Sequence, residues 1–168
     1  MFGSVLVVCG AGVWGGHLVL SRLPRAAEAT PTPRQPLGIW CRADECQFWD
    51  ASGTRWGSVV RSVGPLLLLV DDLRTTDEAQ AGLVAGILAA VDGLPSMGLR
   101  AVSVTLPDAE PGGIHITTSA GYDLYMDALG DVPDQLSTLA VFVADRAKDP
   151  TFKPQYLDLR TPGHVYFK

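Results

Sequence analysis

The sequence predicts an α+β fold, with a mostly antiparallel sheet and two helices, preceded by an apolar N-terminal helical segment. From Leu37 onward, short apolar runs are separated by turn residues, which is typical of strands. Two longer stretches, near Thr76 and Pro133, instead repeat apolar residues at helical spacing. The predicted order is β-β-β-β-α-β-β-β-α-β-β, in which runs of strands surround each helix, as in an α+β domain.

The first predicted strands form a hairpin. The two strands are predicted at residues 37–41 and 47–50, and the polar or small residues 42–45 form the turn between them. A weaker strand is expected at 54–60. The run 66–70 is uninterrupted in its hydrophobicity, which predicts a strand that is buried on both faces of the sheet.

The first helix is expected to begin at Thr76, an N-cap residue followed by acidic residues, and to end at Gly93. Its apolar face is Ala79, Leu83, Ile87, Leu88 and Val91. Pro133 opens the second helix, whose apolar face is Leu136, Leu139, Ala140, Val143 and Ala147. Alternating patterns predict the remaining strands at 99–106, 114–118, 122–126, 156–160 and 164–167.

Composition narrows the classes of function. The chain has 168 residues and is 47% hydrophobic, so it can bury one core and should fold. Thirteen basic and eighteen acidic residues give a net charge of −5, and no basic cluster stands out in the sequence. We therefore expect no nucleic-acid partner, because phosphate neutralisation requires clustered Lys and Arg.

The N-terminal region divides into two parts. Residues 1–23 are apolar, and the run 2–20 is about long enough to cross a bilayer of ~30 Å, although five glycines lower its helix propensity. This part is a candidate membrane anchor. Residues 24–36 contain Pro24, Pro31, Pro33 and Pro36 and are interpreted as a linker to a domain that spans 37–168.

A glycine motif in this region supports an alternative function. Gly10, Gly12 and Gly15 follow an apolar run in the spacing GxGxxG, which can hold a pyrophosphate at a helix N-terminus. The proline-rich linker, however, occupies the place of the second strand, and the nearest acidic residue, Glu28, lies within it. A Rossmann-type dinucleotide-binding protein is thus the alternative function for this chain. The same glycine pattern is also explained by the small residues that are common in membrane helices.

Cys41 and Cys46 are separated by four residues across the predicted hairpin. The two cysteines could form a disulfide, half of a metal site or a redox pair, or could be two reduced buried thiols. A structural zinc site requires four ligands, and Cys9, His17, His115 and His164 are scattered along the chain. We favour the disulfide across the hairpin and expect no metal.

Catalysis is not indicated by the remaining candidate residues. Asp71 and Asp72 follow a buried strand, where paired acids can bind magnesium or act as acid and base. No His or Lys partner is identifiable for them, and no serine lies in a nucleophile elbow. We therefore expect a protein that is not an enzyme and has neither a cofactor nor a small-molecule substrate.

Three separated motifs resemble the β-domain of the FtsQ/DivIB cell-division proteins. Residues 34–41 and 46–53 (RQPLGIWC and CQFWDASG) are similar to its start, and residues 156–168 (YLDLRTPGHVYFK) are similar to its closing segment. Between them, the two helices and the hairpin at 117–127 occur in the expected order. In the family a membrane helix and a POTRA domain precede the β-domain. Residues 1–23 are therefore either an anchor or a POTRA remnant.

The resemblance implies a noncatalytic divisome scaffold in a bacterial membrane. Such proteins are single-pass, with the β-domain outside the membrane, and bind FtsL and FtsB-type division proteins there. An extended partner segment would add to the edge strand at 163–168. The implied partner-binding residues are Tyr156, Asp158, Arg160, His164, Tyr166 and Lys168. Tyr166 and His164 are the main expected contacts. One of these two residues is expected to direct its N–H outward, and substitution of that residue by Pro should remove a hydrogen bond to the added strand.

Overall fold

A computed structural model describes residues 34–61, 67–75, 81–149 and 151–168, which belong to one compact unit, Arg34–Lys168. The strands of these residues are β1 (Gly38–Arg42), β2 (Glu45–Trp49), β3 (Arg55–Trp56), β4 (Leu68–Asp72), β5 (Ala101–Leu106), β6 (Gly113–Thr118), β7 (Asp123–Asp127), β8 (Tyr156–Asp158) and β9 (Tyr166–Phe167). The helices are α1 (Ala81–Gly93), a short 3-10 turn (Leu94–Met97) and α2 (Val132–Arg146).

The described strands form a nine-stranded sheet in the order β3-β2-β1-β4-β5-β6-β7-β8-β9. Five pairs of these strands are antiparallel, namely β1–β2, β2–β3, β5–β6, β6–β7 and β8–β9. Pairings β1–β4, β4–β5 and β7–β8 are parallel. The predicted α+β class, with a mostly antiparallel sheet and two helices, is confirmed for the described part of the chain.

Four strands, β3, β5, β8 and β9, are shorter than the sequence pattern predicts. β3 is limited to Arg55–Trp56 because Gly57 adopts a left-handed backbone, with φ of 68°, that interrupts the ladder. β9 begins at Tyr166 rather than at His164. The N–H of His164 donates to the Thr161 carbonyl oxygen at 3.1 Å, so this residue belongs to the turn before the strand.

Both helices lie on one face of the sheet and form the main core with it. Leu83 and Ile87 of α1 and Leu139 of α2 pack with strand residues such as Ile116 and Leu124. Gly86 permits close packing of α1, since a Cβ atom there would collide with the Ala128 carbonyl oxygen. Burial of large aliphatic side chains on this scale is the main stabilising contribution to the fold.

The α2 helix begins after Asp131, whose side chain accepts a hydrogen bond from the Asp134 N–H at 3.0 Å. Leu136 and Val143 pack against the core as predicted. The prediction for Ala147 was wrong, because α2 ends at Arg146 and Ala147 is exposed.

The opposite face, here called the open face, carries a smaller apolar cluster of Ile39, Cys41, Cys46 and Leu69. Leu69 and Val70 of β4 are buried on opposite faces, at 3% and 0% exposure. The prediction that this strand is buried on both faces is therefore confirmed. Toward β9 the open face becomes polar and aromatic, because alternate residues of β6 to β8 point away from the helices.

Several predicted features lie outside the described residues. They are the apolar segment 1–23, most of the linker 24–36, the glycine motif at Gly10, Gly12 and Gly15, and the N-cap at Thr76. In the part of the chain that is described, neither helix has the length and hydrophobicity that a membrane crossing requires.

Candidate interaction edge

Strands β3 and β9 form the two edges of the described sheet. An edge strand presents backbone N–H and C=O groups to which another strand can add. β9 pairs antiparallel with β8, with Leu157 opposite Phe167 and Asp158 opposite Tyr166. The closing segment of the chain thus lies where the sequence placed an edge.

The hydrogen bonds of β8 determine which groups of β9 point outward. Leu159 N–H donates to the Tyr125 carbonyl at 2.9 Å, and the Gln155 carbonyl accepts from Asp123 N–H at 3.1 Å. The Leu159 N–H and the Gln155 carbonyl therefore face β7, while the Gln155 N–H donates to the Lys168 carbonyl oxygen. By alternation within β8, Asp158 faces β9.

It follows that Tyr166, opposite Asp158, directs its backbone groups toward β8. Phe167, the next residue, directs its N–H and C=O away from the sheet. From the sequence, the outward N–H was expected at His164 or Tyr166. The structure instead assigns it to Phe167, since the His164 N–H is used in the turn.

The side chains of the edge divide between the two faces. Tyr166 lies on the open face, is 55% exposed, and its ring is nearly parallel to that of His164 at 6.3 Å. The His164 ring Nδ1 lies 2.9 Å from the Pro162 carbonyl oxygen. Both predicted contact residues are therefore accessible. Lys168 is exposed next to them.

Phe167 points to the helix side of the sheet, where it joins Phe142 of α2 and Phe152 in an aromatic cluster. Ring centroids in this cluster are 5.4 to 5.7 Å apart. The Arg146 guanidinium lies 5.4 to 5.5 Å from all three ring centroids, within the range of cation–π attraction. This cluster connects the edge strand to α2.

A groove of about 540 Å³ lies between α2 and the segment that leads into β9. Its lining residues are Ser137, Thr138, Val141, Phe142, Asp145, Gly163 and Val165. Val141 is 73% exposed and gives the groove an apolar wall on the α2 side. The groove thus borders the segment that leads into β9 and exposes apolar side chains of α2.

Asp158 and Arg160 form an internal ion pair. Arg160 Nη2 lies 2.6 Å from Asp158 Oδ2, and its Nη1 lies 2.7 Å from Glu110 Oε2. The hydrogen bond from Arg160 lowers the pKa of Asp158 despite its partial burial, and Asp158 in turn raises the pKa of Arg160. Because β8 is flanked by strands on both sides, these residues border the edge without forming it.

Tyr156 stacks on Tyr125 with ring centroids 5.0 Å apart and an interplanar angle of 9°. Tyr125, Glu110 and the aromatic partners Phe142 and Phe152 were not among the residues predicted for the site. The alternation of β7 indicates which face Tyr125 occupies. No sequence signal pairs it with Tyr156, because the two strands are separated by α2.

Cys41 and Cys46 are directly opposite each other in the β1–β2 hairpin. Their sulfur atoms are bonded at 2.02 Å, and their Cα atoms are 4.1 Å apart. Both residues are buried in the open-face apolar cluster, at 1% and 4% exposure. The disulfide therefore links two strands next to β3, at the opposite end of the sheet from β9.

Asp72, one of the two acidic residues considered for catalysis, is buried and bound by side chains of the same domain. It is 1% exposed and accepts hydrogen bonds from Trp40 Nε1 at 3.1 Å, Arg42 Nη2 at 2.9 Å and Arg74 Nε at 2.8 Å. Burial acts to raise its pKa, but the hydrogen bonds and charge of Arg74 outweigh burial and lower it. Its neighbour Asp71 pairs with Arg61 at 2.9 Å.

Within the described residues, no group of three or more His, Cys, Asp or Glu side chains is arranged to hold a metal ion. Comparison of the sequence with protein-family models found no match. A search of curated proteins also found none. The FtsQ/DivIB resemblance therefore depends on the motifs of this chain, which correspond to the β1–β2 hairpin and to β8 and β9.

Proposed function

We propose that this chain is a noncatalytic scaffold of the FtsQ/DivIB type, which supports septum formation in a bacterial divisome. Its partners are FtsL and FtsB-type single-pass proteins, bound outside the membrane. The observation that carries this proposal is the position of β9 at an edge, with the N–H and C=O of Phe167 directed away from the sheet.

In this proposal an extended partner segment adds to β9 and continues the sheet. Main-chain hydrogen bonds to Phe167 supply affinity, while alternate side chains of the partner contact opposite faces. One set meets His164 and Tyr166 on the open face. The other set meets the groove between α2 and β9, where Val141 and Phe142 offer apolar surface.

The disulfide supports the proposed location. Disulfides persist in oxidising compartments and are rare in the cytosol. A Cys41–Cys46 bond in a buried cluster is consistent with a domain that functions outside the cytoplasm. In the proposal, residues 1–23 supply the single membrane anchor.

Calorimetric titration of the full chain with an FtsB-type extracytoplasmic segment tests the proposal. Tyr166→Ala should weaken binding by about 2 kcal/mol, the value typical of an interface hot spot. Leu129→Ala is the control, because Leu129 is 47% exposed in the loop before α2. The proposal fails if the segment does not bind, or if the two variants bind it equally well.

A further inference from the structure

The open face carries a second group of aromatic side chains, distinct from His164 and Tyr166, that takes no part in the main-chain pairing proposed at β9. His115, Tyr125 and Tyr156 form a continuous stack across β6, β7 and β8. The first two ring centroids are 4.1 Å apart, and the second two are 5.0 Å apart. Stacked rings held on a sheet lose little conformational freedom on binding, so they are a favourable surface for a partner.

Arg160 of this chain illustrates how the open face holds a basic side chain. Its guanidinium lies 5.7 Å from the Tyr125 ring centroid and is held between Glu110 at 2.7 Å and Asp158 at 2.6 Å. A ring and carboxylates together favour a guanidinium through cation–π attraction and charge-assisted hydrogen bonds.

A similar combination occurs in the next register position. Asp123 of β7 is directly opposite Tyr156 of β8, so a carboxylate and a phenol ring are neighbours on the open face. Thr117 Oγ1 donates to Asp123 Oδ1 at 2.9 Å and fixes the orientation of the carboxylate. This part of the open face carries four carboxylates, of Glu110, Asp123, Asp127 and Asp158. Arg160 pairs with Glu110 and Asp158, so these five groups together remain net negative.

We propose that the open face of β6 to β8 docks an Arg- or Lys-rich segment of a partner protein, with one basic side chain between Tyr156 and Asp123. The charge of the face favours a basic partner over an acidic one. This surface uses side chains, whereas the β9 edge uses backbone groups. The inference therefore does not depend on strand addition.

The test is a titration of the isotope-labelled full chain with the peptide Gly-Arg-Gly-Arg-Gly-Arg-Gly at about 0.15 M salt, where exposed charges are screened beyond ~8 Å. NMR shift changes should be concentrated at His115, Asp123, Tyr125 and Tyr156. The same peptide with Glu in place of Arg should cause no such changes. This map requires no variant, so it does not depend on whether a variant folds.

The double variant Asp123→Asn, Tyr156→Leu should weaken binding of the arginine peptide roughly tenfold, as expected for losing a charge contact and a ring contact. Asp92→Asn is the matched control, since Asp92 is an exposed residue of α1 on the other face. Equal weakening by the control would mean nonspecific charge attraction and would overturn the proposal. Shift changes elsewhere on the surface, or no binding at millimolar peptide, would also overturn it.

Discussion

The guanidinium of Arg146, the last residue of α2, lies 5.5 Å from the centroid of the Phe167 ring in β9. This contact matters because β9 has only two residues and pairs with a strand of three. So short a pairing is marginal by itself. The edge strand therefore depends on its side-chain contacts with α2 for its position.

Arg146→Ala should lower the free energy of unfolding by about 1 kcal/mol, the scale of cation–π contacts at a partly exposed site. Amide hydrogen exchange at Tyr166, whose N–H is directed toward β8, should accelerate more than exchange in β6, because local opening of the edge becomes easier. Arg100→Ala, at an exposed arginine before β5, is the control. Equal exchange at Tyr166 in both variants would show that Arg146 does not hold β9.

Asp72→Asn should lower the free energy of unfolding by about 3 kcal/mol. The substitution removes the buried carboxylate with which both Arg42 and Arg74 form ion pairs. Asp71→Asn is a matched control at the adjacent residue. Its partner Arg61 is 51% exposed, so the cost should be at most about 1 kcal/mol. Urea unfolding of the two variants distinguishes these values, and similar costs would contradict the role assigned to Asp72.

The same carboxylate predicts a pH dependence. The folded state lowers the pKa of Asp72, so its stabilising contribution is present above the unfolded value of ~3.9 and is lost as pH falls through the folded pKa. The stability difference between the wild type and Asp72→Asn should thus be constant near pH 7 and shrink below about pH 4. If the stability difference between the two proteins stays unchanged down to pH 2, the pKa of Asp72 is not lowered in the folded state.

The disulfide predicts a thiol count and a modest stability effect. With three cysteines in the chain and Cys41 bonded to Cys46, the denatured, unreduced protein should contain one titratable thiol. Cys41→Ala, Cys46→Ala should lower the free energy of unfolding by about 2 kcal/mol, since the closed loop is short. Alanine avoids placing a hydroxyl in the buried cluster. Three titratable thiols in the aerobically purified protein would exclude the bond.

Sequence patterns predicted the element order because each strand and helix has a local hydrophobic period, as in α1 and β6. They also placed Cys41 and Cys46 on facing strands, since a hairpin brings neighbouring residues together. The limits of β9 were not predictable from alternation. The turn hydrogen bond between His164 and Thr161 shortens this strand, and apolar periodicity contains no information on it.

The candidate site was predictable only in part. Tyr166 and His164 follow from the position of the last strand, but the outward direction of the Phe167 backbone depends on how β8 bonds to β7. The contact between Arg146 and Phe167, and the stack of Tyr125 on Tyr156, join residues separated by a helix or a loop. Such contacts are set by tertiary packing, which local propensity does not encode.

Residue-resolved hydrogen exchange of the full chain, with and without an FtsB-type extracytoplasmic segment, tests strand addition at β9 most directly. The segment should slow exchange of the Phe167 amide strongly. The Tyr166 amide, already bonded toward β8, should change less, and the β3 amides at Arg55 and Trp56 should not change. Binding that leaves the Phe167 amide unprotected, or that protects β3 instead, would contradict partner addition at this edge.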